Sequence, residues 1–79
     1  MLTAPQIRAA RALLDWSQKQ LAEKAKLSVP TIKRMEGAMG PEHSTMGNVD
    51  AVQRACEIAG VIFLEPTSRK EGPGVRLRK

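Results

Sequence analysis

Aromatic residues are almost missing from this chain, with only Trp16 and Phe63 in 79 residues. Proteins that grip single-stranded nucleic acid stack bases on several exposed rings, so that mode is disfavoured. There is one cysteine, Cys56, which excludes an intrachain disulfide and a zinc–thiolate cluster. It falls at an apolar helical position and reads as a small buried hydrophobe. The single histidine, His43, has no companion that suggests a metal or catalytic site. No apolar stretch approaches the roughly 20 residues that cross a bilayer, and the N-terminus has no charged segment leading into an apolar run. A cytoplasmic protein without a membrane partner is therefore expected. No nucleophile–base pair and no Gly-rich phosphate loop is visible, and so short a chain lacks a deep pocket. The expectation is a non-enzyme, with no catalytic residue, metal, cofactor or small-molecule substrate.

What is present is positive charge and enough apolar residues for one core. Thirteen basic residues against eight acidic ones give a net charge of +5. That balance favours a polyanionic partner. Hydrophobic residues make up 42% of the chain, which argues against wholesale disorder.

Local signals divide the chain into short elements. Thr3-Ala4-Pro5-Gln6 starts a helix, with Thr3 and Gln6 as a capping box and Pro5 in the first turn. Ile7, Ala10, Leu13 and Leu14 recur at helical spacing up to about Asp15. Ser17 and Gln20 form a second capping box, followed by Leu21, Ala22 and Ala25. Ser28 caps a third helix that starts at Val29 or Pro30, turns Ile32 and Met35 inward, and ends at Gly37 as a C′ residue. Residues 38–44 read as a loop. Thr45 caps a fourth helix with Met46, Val49, Val52, Cys56 and Ala59 on one face, closed by Gly60. Val61–Leu64 and Val75–Arg78 then read as two short strands of a hairpin, the second of which is otherwise part of a disordered basic tail. A lone hairpin is marginal in water, so it must pack on the helices or pair with another copy.

The strongest pattern runs from Gln18 to Met35. Two helices joined by a tight turn cross closely, which demands a small residue at the crossing (Ala22) and apolar residues that lock the second helix down (Ile32 and Met35). Ser17-Gln18-Lys19-Gln20-Leu21-Ala22-Glu23-Lys24-Ala25, Leu27-Ser28, Thr31-Ile32 and Met35-Glu36-Gly37 together resemble the Cro/cI-type (Xre-type, lambda repressor-like) helix-turn-helix family. The resemblance covers about residues 5 to 60. It implies an all-α, compact four-helix domain over residues 1–60, with residues 61–79 as a short C-terminal β-hairpin or basic tail. It departs from the family at Lys26, where the family usually has Gly at a φ > 0 turn. Either the turn is less sharp here or Lys26 stands there as a solvated or phosphate-contacting side chain.

By position in the family pattern, a recognition helix at about 29–36 reads base edges in a major groove through Val29, Pro30 and Arg34. Arg34 is the best specific reader, because its fork matches O6 and N7 of guanine; the alternative is a phosphate contact or a solvated side chain. Val29 and Pro30 offer only apolar contact. Ser17, Gln18, Ser28, Thr31, Lys33 and Thr45 are expected on the DNA backbone, with Gln18 and Ser28 at helix N-termini that suit phosphate. His43 and Ser44 lie beside Thr45. Arg11 and Glu36 match an Arg–Glu pair that, in the family, ties the first helix to the end of the recognition helix. Trp16 takes an apolar position before the Ser17 cap.

One recognition helix touches few base pairs, so a homodimer on a pseudo-palindromic operator is expected, with half-sites about 34 Å apart. Val61, Ile62, Phe63, Leu64, Val75 and Leu77 are the candidate dimer residues. Arg76, Arg78 and Lys79 either reach DNA or keep an edge soluble. The expected partner is double-stranded DNA, the expected role a nucleoid-associated transcriptional regulator, most simply a repressor. The alternative is a protein-interaction regulator, an antitoxin or antiactivator that uses the same fold on a protein partner.

Overall fold

The computed structural model describes residues 2–65 and 72–78, without the side chain of His43. Four helices form over these residues: α1 (Ala4–Leu14), α2 (Gln18–Ala25), α3 (Val29–Glu36) and α4 (Met46–Ile58). Two strands, β1 (Val61–Leu64) and β2 (Gly74–Leu77), follow as an antiparallel hairpin. The hairpin reading therefore holds over the tail. Both capping boxes form. Thr3 and Ser17 accept from the backbone of Gln6 and Gln20, whose side chains reach back to the cap N–H groups. Ser28 and Thr45 cap α3 and α4, and α3 starts at Val29 with Pro30 in its first turn.

The core sits where the helices cross. Ile7, Ala10, Leu21, Ile32, Met35, Val52 and Cys56 are fully buried, and Ala22 packs with them at the close approach. Each large side chain removed from water contributes about 1.5–3 kcal/mol. Burial pushes the Cys56 thiol up to about 11, so at neutral pH it is a protonated, inert hydrophobe. The hairpin packs on this core too, through buried Val61 and half-buried Phe63 and Val75.

Several local expectations are corrected. Leu13 and Met46 share the apolar spacing of their helices yet stay exposed, at 41% and 81%. Ala59 lies just past α4 and is also exposed. The loop after α3 holds a 3-10 helix over Gly40–His43, whose Pro41 is buried. Gly37 follows α3 in an extended conformation, φ −82°, not the left-handed one. A Cβ there would lie 3.3 Å from the Lys33 carbonyl oxygen, a tight contact that a small shift of the turn would have to relieve.

Lys26, like Asp15 after α1, is left-handed, at φ 59° and ψ 42°. The turn between α2 and α3 is as sharp as a glycine turn, and a non-Gly residue in this region costs about 1–2 kcal/mol. Lys26→Gly removes that strain and gives back part of it as unfolded-chain entropy. The expected result is a gain of about 0.5–1 kcal/mol in a urea melt; an unchanged or lower midpoint would show that the lysine is not strained.

Candidate nucleic-acid interface

The C-terminal end of α3 is tied to other parts of the chain. At its C-terminus, Arg11 Nε donates to Glu36 Oε2 at 2.6 Å and Nη2 donates to Oε1 at 2.8 Å. The fork is bidentate, the geometry in which guanidinium and carboxylate match best. Gln18 Nε2 donates to the same Oε1 at 3.1 Å, and Arg11 Nη1 donates to the Trp16 carbonyl at 3.1 Å. Arg8 adds a hydrogen bond from Nη1 to the Glu36 carbonyl. One buried carboxylate thus joins α1, the start of α2 and the end of α3. The hydrogen bonds to Glu36 raise the Arg11 pKa, so the guanidinium is permanently charged. Because both charges are satisfied by each other and by neutral groups, the cluster suits orientation and not proton transfer.

The outward face of α3 carries a polar chain. Ser28 Oγ accepts from the Thr31 backbone at 3.2 Å and shares a 2.8 Å hydrogen bond with Thr31 Oγ1. Arg34 Nη2 donates to that same Thr31 hydroxyl at 3.5 Å. Pro30, Lys33 and Arg34 are exposed. Val29 is half-buried, because it packs partly against the core, so only part of its side chain is available to a ligand.

The other singled-out residues border this face. A groove of about 630 Å³ between the end of α3 and the start of α4 is lined by Arg34, Gly37, Met39, Ser44, Thr45 and Asn48. It places Arg34 and Thr45 on one opening. Ser17 is exposed at the start of α2, beside half-buried Gln18. With one amide proton given to Glu36, Gln18 keeps the other proton and its oxygen for a ligand. The side chain of His43 and the whole of Lys79 lie outside the described residues. Arg78 is occupied elsewhere: its Nη2 donates to the Glu57 carbonyl at 3.1 Å, placing a cation at the C-terminus of α4.

Sequence reasoning missed Arg8 and Asn48, and expected Arg78 on DNA or at a solvated strand edge and not against the end of α4. A basic residue one turn before Arg11 was the available signal for Arg8; Asn48 had none. Among the described residues, no group of three or more His, Cys, Asp or Glu is placed to hold a metal, and no helix is long and apolar enough to cross a membrane.

Residues 7–36 match the family model described as helix-turn-helix. No curated protein matches the chain. The match spans the last two-thirds of α1, all of α2 and all of α3, up to the carboxylate that joins them. The family consists of DNA-binding regulators and not of enzymes. Together with the four-helix lambda repressor-like architecture around it, this match supports a DNA-binding helix-turn-helix segment similar to the Cro/cI-type family.

Proposed function

We propose that this protein is a sequence-specific transcriptional regulator, most simply a repressor, that binds a pseudo-palindromic operator as a homodimer. The observation that carries this reading is the exposed Ser28–Thr31–Arg34 chain on a helix held from behind by Glu36. An arginine staged by a neighbouring hydroxyl loses less freedom when its fork meets a guanine. Arg34 is the specific reader, with Val29 and Pro30 in apolar contact with base edges. Ser17, Gln18, Ser28, Thr31, Lys33 and Thr45 bind phosphates around it. Residues 1–60 serve DNA, and residues 61–79 contribute to self-association. Of the hairpin residues, Ile62, Leu64 and Leu77 keep free side-chain surface, whereas Val61 is consumed by its own core at 1% exposure.

Fluorescence anisotropy on the chain's own upstream intergenic DNA, against scrambled DNA at two salt concentrations, tests the reading. Specific binding is expected to weaken by about 10³–10⁵ between roughly 50 and 200 mM salt. Arg34→Ala should cost about 1–3 kcal/mol on the specific site and little on scrambled DNA. Lys33→Ala should weaken both and reduce the salt slope by about 1. Equal, weak binding to both DNAs would reject sequence reading and favour a protein partner.

A further inference from the structure

Met46, Asp50, Arg54 and Ile58 follow one another at four-residue spacing and form a single ridge along α4. All four are exposed, Met46 at 81% and Ile58 at 86%. The ridge reads apolar, acidic, basic, apolar. It is symmetric in position about Val52 and opposite in charge across it. Laid antiparallel against a second α4, Asp50 meets Arg54 of the second copy and Met46 meets its Ile58. A two-fold axis makes each of these pairs twice. That is the requirement of an isologous contact, in which one patch must complement itself. Within the chain, neither Asp50 nor Arg54 has an ion-pair partner among the described residues.

A receptacle lies at the Ile58 end. A groove of about 520 Å³ is lined by Ile58, Ala59, Gly60, Leu77 and Arg78. Leu77 keeps 38% of its surface exposed. The opposite end of the ridge offers Met46, an unbranched thioether that adapts to irregular apolar gaps.

We infer that the α4 ridge is the contact between two copies of this chain, with Asp50–Arg54 pairs at its centre and the second copy's Met46 seated in the Ile58–Leu77 groove. This rests on the homodimer reading and assigns it a face: α4 supplies most of the contact and the hairpin supplies Leu77. The ridge is only about 18 Å long. That is short for a stable interface, so the dimer is weak in free solution and depends on concentration.

Sedimentation velocity of the full chain, in a concentration series reaching the millimolar range, tests the inference. Wild type should show a monomer–dimer equilibrium. Asp50→Arg and Arg54→Asp should each weaken it about tenfold or more, because both central pairs become like-charged. An equimolar mixture of the two variants should recover the dimer, since every pair is again opposite in sign. Circular dichroism checks that each variant is folded, and recovery in the mixture shows the same independently. Single variants that dimerise as tightly as wild type, or a mixture that fails to recover, overturn the α4 face and leave the homodimer to another surface. A wild-type chain that stays monomeric throughout overturns both.

Discussion

Arg11→Ala is expected to destabilise the domain by about 3–5 kcal/mol, and to cost more than Glu36→Ala. The reason is which partner is left behind. The Glu36 side chain is 4% exposed and that of Arg11 is 21% exposed. Removing Arg11 strands a nearly dry carboxylate with Gln18 as its only side-chain donor among the described residues, whereas removing Glu36 strands a guanidinium that water already reaches. In a domain of this size 1 kcal/mol corresponds to about 4–8 °C, so Tm should fall by roughly 12 °C or more for Arg11→Ala. Thermal and urea melts of the two single variants measure this. Equal, small losses in both would mean that the pair contributes as a solvated surface bridge does. A third variant separates stability from orientation. Replacing both residues by apolar ones, Arg11→Met with Glu36→Leu, leaves no stranded charge and should recover most of the stability. It also releases Gln18 and the end of α3, so its DNA affinity should stay low while its Tm returns.

Much of the helical layout was legible because its causes are local. Thr3 with Gln6, Ser17 with Gln20, and the caps Ser28 and Thr45 each act within one turn, and spacing alone reveals them. Periodicity was less informative about where an apolar face ends. Leu13 and Met46 lie at the margins of their stripes, and whether a neighbour covers them depends on how the helices cross. Lys26 shows the opposite limit, where tertiary packing holds a residue in a conformation that its own type disfavours.

The candidate site was legible only in part, for a similar reason. The outward residues of α3 follow from the helical repeat once the helix is placed. Arg11 and Glu36 stand 25 residues apart, and no local spacing joins them; only the family resemblance singled out the pair. The groove between α3 and α4, the Arg8 bond to the Glu36 carbonyl and the Arg78 bond to the Glu57 carbonyl depend on three-dimensional closure. Composition and motif carry no trace of the groove or of the Arg78 bond, and for Arg8 offer only a basic residue one turn before Arg11.

Gln6 is the clearest case of a residue whose larger role is invisible in sequence. It was readable as half of a capping box, and its Oε1 does accept from the Thr3 N–H at 2.9 Å. Its Nε2 does something further. It donates to the Leu64 carbonyl at 3.2 Å and to the Gly74 carbonyl at 3.0 Å, 58 and 68 residues away. One amide, 4% exposed, therefore clamps the end of the hairpin next to its connecting segment, where Leu64 faces Gly74, onto α1. Gln6→Glu keeps the shape and the acceptor but replaces the donating nitrogen with an oxygen that faces two carbonyl oxygens. The expected loss at neutral pH is about 2–5 kcal/mol, larger than for Gln6→Ala, which removes the bonds without adding a buried charge. The sign of the pH dependence follows. Burial raises the new carboxyl's folded-state pKa above its unfolded value near 4.3, so the penalty is present at neutral pH and shrinks as pH falls towards that value. A protonated carboxyl also regains one donor for the strand ends. Urea melts of wild type, Gln6→Glu and Gln6→Ala at neutral and mildly acidic pH measure this. A pH-independent loss shared equally by both variants would show that the clamp is open to water and that the hairpin is held by Val61, Phe63 and Val75 alone.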